Sequence, residues 1–184
     1  LQKGIRSMEV KRFGLGLDAS DKWLHAHRPL APGSAGGPPA EPGAKGDADW
    51  PIDETKLRRK LTVPSQGRLY YIRYALKMGW TVEQVHEATR IDPWFLDQIA
   101  QLVSFEDVLC SYAKLEDVPR EVLFEAKQLG YSDAQLASLY LGKISADTVL
   151  AVRAHRKGLG IEPVYKLVDT CAAEFEARTP YYYS

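Results

Sequence analysis

The sequence predicts an all-α fold: a compact multi-helix domain over residues 53–160, with a Pro/Gly-rich linker near the N-terminus and an extended C-terminal arm. Three observations carry this. From Asp53 onward apolar residues recur at helical spacing. Helix start and stop signals repeat along that stretch, most clearly at Asp92-Pro93 and at Gly79 and Gly130. On either side the pattern breaks, into a run of prolines and glycines over 29–52 and into a β-rich segment over 161–184.

In the first twelve residues Leu1, Ile5 and Met8 share one helical face, with Lys3, Arg6 and Glu9 elsewhere. That face has no partner nearby in sequence and is expected to belong with a domain outside this stretch. Phe13-Gly14-Leu15-Gly16-Leu17 has two glycines spaced as in a phosphate loop. No strand precedes them, and no third glycine or GK[ST] follows, so that reading fails. His25 and His27 lack further ligands nearby and read as a solvated pair rather than a metal site. Pro29, Pro32, Gly33, Gly36, Gly37, Pro38, Pro39, Pro42, Gly43 and Gly46 cannot build a core and mark a flexible linker.

The first helix of the domain is expected to run from near Ser65 to Met78, with Leu69, Ile72 and Leu76 inward and Lys60, Arg68, Arg73 and Lys77 outward. Gly79 stops it, and Thr81 with Gln84 has the spacing of a capping box for a short helix to about Thr89. The same grammar returns 51 residues on (75 to 126): helix, Gly130, Tyr131, Ser132, Gln135, Leu136. Each glycine is expected in the left-handed position after a helix, with the aromatic packing back and the hydroxyl opening the next helix.

Between these corners lies Arg90-Ile91-Asp92-Pro93-Trp94-Phe95-Leu96. Asp92 supplies an acceptor for free N–H groups of a first turn, and Pro93 fits the first helical position. The helix that follows is apolar on most of its circumference, with Asp97, Gln101 and Ser104 as a narrow polar stripe, and is expected to be wrapped by its neighbours. Asp92, Pro93, Trp94, Phe95, Leu96, Gly79 and Gly130 form the expected structural core, and Trp94→Ala is expected to unfold the domain. Pro119 opens a further helix ending at Gly130. Ser145 caps a last one, Ala146 to Lys157, closed by Gly158 and Gly160. Ile161 to Asp169 turns extended and could pair with a strand outside the chain.

Composition narrows function. The 24 basic and 24 acidic side chains balance, which argues against a general polyanion binder. Cys110 and Cys171 form no CxxC or Cys/His cluster, so a disulfide framework or structural zinc is not expected, and a reducing, cytoplasmic location is. No apolar run reaches the ~18 residues of a membrane span. The chain opens at Leu1 inside an amphipathic pattern and closes at Tyr181-Tyr182-Tyr183-Ser184, and is expected to be a piece of something larger.

No catalytic, cofactor or metal residue is assigned. Asp169, Glu174 and Glu176 have no nearby histidine to work with. His86-Glu87-Ala88-Thr89-Arg90 starts like HExxH but puts Arg90 at the second ligand position, leaving His86 a partly buried helix histidine. His155 lies between Arg153 and Arg156 on what reads as an exposed basic face. Residues 132–157 offer the alternative of a freestanding DNA-binding or regulatory helix-turn-helix protein. Its second helix, however, begins Ala146-Asp147-Thr148-Val149-Leu150, with the basic residues late, where the helix dipole favours them anyway.

Taken together, Gly79 to His86, Arg90 to Leu96, and Pro163-Val164-Tyr165-Lys166-Leu167-Val168-Asp169-Thr170-Cys171-Ala172-Ala173-Glu174-Phe175-Glu176 closely resemble the connecting, or oligomerisation, domain of the carbamoyl phosphate synthetase large subunit. Leu1 to Glu9 resembles the tail of the ATP-grasp domain that precedes it in that family, the carboxyphosphate-forming one. The resemblance implies a parent ligase that makes carbamoyl phosphate from bicarbonate, glutamine-derived ammonia and ATP, using Mg or Mn, for arginine and pyrimidine biosynthesis. It implies as partners the flanking ATP-grasp domains, a glutaminase small subunit and a second copy through self-association, but neither nucleic acid nor membrane. It also divides the chain into a tail (1–28), a linker (29–52), a helical oligomerisation domain (53–160) and an arm leading to the carbamoyl phosphate domain (161–184). None of the family's nucleotide or metal ligands maps here, so the fragment is expected to be an inactive scaffold. Two departures stand out: residues 29–49 resemble an insertion, and Gly67 stands where an Asp is usual.

Overall fold

The computed structural model describes residues 1–8, 12–18, 20–27, 50–169, 174 and 181–183. The linker expected over 29–49, with Cys171 and Glu176, lies outside the described residues. In chain order the elements are α1 Gln2–Ser7, α2 Lys22–His27, α3 Glu54–Thr62, α4 Arg68–Lys77, α5 Val82–Thr89, α6 Pro93–Cys110, a 3-10 turn Leu115–Asp117, α7 Arg120–Gln128, α8 Asp133–Leu141, α9 Ala146–Gly158, β1 Lys166–Val168 and β2 Tyr181–Tyr183. The expected all-α architecture is what is found.

Helix α3 departs from the sequence reading, which began the first helix near Ser65. Asp53 caps it by accepting from the Lys56 N–H at 2.9 Å, and Leu57 and Leu61, one turn apart, are its buried face. Two leucines among Glu54, Lys56, Arg58, Arg59 and Lys60 are too few to show a period. Helix α4 then starts at Arg68 behind Gly67, which has no side chain to cap it.

The corners form as expected. Gly79 and Gly130 have φ of +87° and +88°. The N–H of Trp80 donates to Ala75 O at 3.0 Å and that of Tyr131 to Ala126 O at 3.0 Å, satisfying carbonyls that the helix ends would leave free. Gly160 closes α9 the same way, with Ile161 N–H donating to Arg156 O. Thr81/Gln84, Ser132/Gln135 and Ser145/Thr148 are reciprocal capping boxes.

Helix α6 is capped by Asp92, whose carboxylate accepts the Trp94 N–H at 2.8 Å, with Pro93 in the first turn. It is not wrapped on all sides. Its buried stripe is Leu96, Ile99, Leu102, Val103, Phe105, Glu106 and Leu109, whereas Trp94 is 62% and Phe95 57% exposed. Trp94 precedes the buried Leu96 by two residues, about 200° around a helix of 3.6 residues per turn. Of the seven residues expected as core only Leu96 is buried; Asp92 and Pro93 start α6 and Gly79 and Gly130 end helices outside the core, and Trp94 and Phe95 lie on the surface.

The core has two clusters. One gathers Leu57, Leu61, Ile72, Val85, Leu96 and Ile99; the other Leu109, Leu123, Tyr131, Leu136, Val152 and Ile161. Helix α6 feeds both and is pinned from the second by hydroxyls of Tyr131 and Tyr140, which donate to Leu102 O (2.6 Å) and Leu109 O (2.8 Å). The α1 face expected to lack a partner finds one here: Ile5 is buried in the first cluster, while Leu1 is exposed. In the arm β1 pairs antiparallel with β2, Lys166 opposite Tyr183, so the strand expected to pair outside the chain pairs within it.

A buried polar seam as candidate functional site

Residues 12–18 and 20–27 lie across the helical domain, where they bury Leu15, Leu17 and Leu24 and make a set of buried polar contacts. Asp21 begins the arrangement locally. Its carboxylate accepts the Leu17 N–H at 2.7 Å, folding the preceding loop back, and the Trp23 and Leu24 N–H groups at 3.1 and 3.3 Å, opening α2. Asp18 does the same one turn earlier, accepting from Arg12 Nε at 2.7 Å and the Ser20 N–H at 3.1 Å.

Arg73 of α4 receives this loop. Its guanidinium donates two parallel bonds to Asp21, 2.8 and 2.7 Å, and on its other edge bonds Glu106 of α6, Nε to Oε1 at 2.8 Å and Nη2 to Oε2 at 2.7 Å. All three side chains are sealed from solvent. Burial works against the Arg73 charge, but Glu106 and Asp21 more than offset it and hold its pKa above the ordinary arginine value. Burial pushes the Glu106 carboxyl up, with Arg73 opposing. Lys77, one turn further, donates to Asp107 at 2.6 Å and Val103 O at 3.1 Å and lies 4.1 Å from the Trp23 ring centroid. Arg68 donates to Leu61 O and Thr89 O. The α4 cations expected outward therefore turn inward: Arg73 meets two buried carboxylates that would otherwise lack a cation, Lys77 meets Asp107 and Val103 O, and Arg68 meets two carbonyls.

The seam continues to the second corner. Gln135 closes its own capping box, accepting the Ser132 N–H at 3.0 Å, while its amide donates to Gly16 O at 2.7 Å and Gln2 Oε1 at 3.3 Å. Gln2 Oε1 also accepts the Leu15 N–H at 2.9 Å, and Arg6 donates to Gly130 O at 2.9 Å. This explains the two glycines that resembled a phosphate loop. A Cβ at Gly14 would occupy the space of the Gln135 amide, and one at Gly16 that of the Arg73 guanidinium.

The sequence pattern sets Arg73 outward and gives Asp21, Glu106 and Gln2 no role. One signal was available: Glu106 falls in register with the apolar stripe of α6, and a carboxylate at a core position calls for a buried cation.

Other sequence candidates stay apart. His25 and His27 are exposed, and His27 stacks on Trp23 with ring centroids 5.2 Å apart. His86 is half-buried, its Nδ1 2.7 Å from Ile91 O. His155, expected on an exposed face, is also half-buried. Arg156 is committed to Asp133 at 3.1 Å and Ile161 O at 2.8 Å, so the basic end of α9 is partly spent on its own fold. Cys110 is half-buried, and burial pushes its thiol up to about 12. Among the described residues no group of three or more His, Cys, Asp or Glu could hold a metal, and no helix is long and apolar enough to cross a membrane.

Comparison with known proteins gives the family. The sequence model of the carbamoyl-phosphate synthetase large chain, oligomerisation domain, matches residues 38–160. The chain belongs to this family. The carbamoyl phosphate synthase large chain of Archaeoglobus fulgidus is 44% identical over all of the chain, and that of Rhodopirellula baltica 43%. The chain spans only 14% of the length of each. In Aquifex aeolicus the similar protein is the large chain's N-terminal section, 46% identical over all of this chain and 26% of its own length. As a member of the oligomerisation-domain family the chain is a mostly helical domain, and the resemblance drawn from Arg90–Leu96 and Pro163–Glu176 is borne out. The helix-turn-helix reading has no support.

Proposed function

We propose that this chain is the connecting and oligomerisation segment of a glutamine-dependent carbamoyl phosphate synthetase large chain, and that its task is to hold the preceding domain's tail in fixed orientation. The observation that carries this is the identity over the whole chain to proteins named as that large chain, of which it spans 14%. The parent makes carbamoyl phosphate from bicarbonate, glutamine-derived ammonia and ATP with Mg or Mn, in the cytoplasm, for arginine and pyrimidine biosynthesis. Its partners are the two flanking ATP-grasp domains, a glutaminase small subunit and a second copy of itself.

Within that parent, residues 1–28 end the carboxyphosphate half, 29–52 form a linker, 53–160 the helical unit, and 161–184 the arm to the carbamoyl phosphate half. The Asp21–Arg73–Glu106 seam supports this reading, since a sealed, multiply bonded contact fixes one geometry. The test is the native polypeptide carrying this segment. It is expected to be several times longer than 184 residues and to form carbamoyl phosphate from glutamine with its small subunit. A native chain ending near Ser184, or ATP hydrolysis by the 184-residue segment alone, would overturn the reading.

A further inference from the structure

Lys127 of α7 and Arg156 of α9 meet on the wall of a cavity of about 350 Å³ whose apolar lining is Phe124, Ile161, Pro163 and Val164. The two cations bond one carboxylate. Lys127 Nζ donates to Asp133 Oδ1 at 2.8 Å, and Arg156 Nε lies 3.1 Å from each Asp133 oxygen. Lys127 also donates to Tyr131 O at 2.6 Å, and Arg156 Nη1 to Ile161 O at 2.8 Å. An ammonium carries three hydrogens and a guanidinium five, so each side chain keeps a donor beyond these bonds: the third hydrogen of Lys127 and Nη2 of Arg156. Glu162, also on the lining, is balanced by Lys157 Nζ at 3.5 Å. Burial lowers the Lys127 pKa, with Asp133 opposing and Arg156 and Arg6 adding to the fall, so positive charge is crowded here.

We infer that this cavity binds a small monocarboxylate with an apolar body, its two oxygens accepting one bond each from Lys127 and Arg156. Charge selects the head group. Asp133 compensates one of the two cations and leaves the other, and a single carboxylate completes the balance through charge-assisted bonds. The walls select the body, since the four apolar side chains offer hydrocarbon and an aromatic edge but no polar partner. The volume falls within the roughly 300–1,000 Å³ of small-molecule sites, which combine an apolar lining with a few placed polar groups. All of these residues belong to this chain, so the site does not depend on the parent's activity.

The experiment follows amide exchange by mass spectrometry in the native polypeptide carrying this segment, titrated with cyclohexanecarboxylate. Exchange is expected to slow in peptides covering 120–131 and 158–164, the two main walls of the cavity. Acetate lacks the body and cyclohexanecarboxamide the charge. Each is expected to need at least about tenfold more for the same protection. Gln128 lines the cavity but is exposed, so Gln128→Lys and Gln128→Glu change the charge facing the ligand without touching the core. Affinity is expected to rise about threefold in the first and fall about threefold in the second. Lys127→Met is expected to remove the protection, and the two variants at 128 keep the test decisive if Lys127→Met does not fold. Exchange unchanged in both walls, an amide as potent as the acid, or an affinity that ignores the sign at 128 overturns the inference.

Discussion

The corners at 79–85 and 130–136 share one local grammar and differ in what covers them. Both glycines are left-handed, both aromatics bond back across the helix end, and both hydroxyl/glutamine pairs are reciprocal caps. Yet Thr81 and Gln84 face solvent and Gly79 has open space around it, whereas Gln135 is fully buried and Gly130 abuts Gln2. Local chemistry sets the shape of a corner. Its burial, and hence how much a substitution there costs, is set by the N-terminal segment lying more than a hundred residues away in sequence.

The strongest way to break this difference is to cut the cover loose. Arg73→Met leaves Asp21 and Glu106 as buried carboxylates without their cation and is expected to destabilise by about 3–5 kcal/mol. At about 2–4 °C per kcal/mol for a chain of this size, calorimetry should show the melt falling by about 6–20 °C. Amide exchange should rise first in residues 12–18 and 132–136, erasing the contrast with the open corner. A melt that moves by less than about 3 °C would mean that the seam does not hold the segment.

Gln135→Ala against Gln84→Ala sharpens it. The first strands Gly16 O in the interior and should cost about 1–3 kcal/mol by chemical denaturation; the second loses only an exposed cap bond, about 0.5 kcal/mol. Equal costs would make the cover irrelevant. Gly130→Ala and Gly79→Ala share a left-handed penalty of about 1–2 kcal/mol. The added methyl at 130 would also lie 3.1 Å from the Gln2 Cβ, so Gly130→Ala should be the worse by about 0.5–1 kcal/mol, read from denaturation midpoints.

The smallest effect is expected where the sequence predicted the largest. Trp94→Ala in the 184-residue chain removes an exposed side chain and should change stability by within about 0.5 kcal/mol. A loss of several kcal/mol would restore Trp94 to the core.

How much was legible follows from which links are local. Caps, glycine stops and the stripe Leu96, Ile99, Leu102, Leu109 are set within a few residues, and the sequence displayed them. Trp94 and Phe95 misled because hydrophobicity reports that a side chain leaves water, not which surface it meets. The seam was hidden for a different reason. Asp21, Arg73 and Glu106 are each ordinary polar residues until three segments meet, and only Glu106, out of place in an apolar stripe, hinted at it. Helix α3 was missed because one turn of two leucines carries no period.

The seam also sets an order of assembly. The N-terminal segment leaves the ribosome before its partners in the helical domain: Arg73 follows Asp21 by 52 residues, and Gln135 follows Gly16 by 119. At about 5–20 residues per second, that second interval is roughly 6 to 24 s. Throughout it Leu17, buried in the finished domain, waits for the complete cluster it enters, which runs on to Ile161, while Ile5 and Leu15 wait for the one that ends at Val103. The nascent chain therefore presents an apolar, glycine-containing stretch for seconds, long enough for a chaperone to hold it, and the fold closes at its beginning only after most of its length has been made.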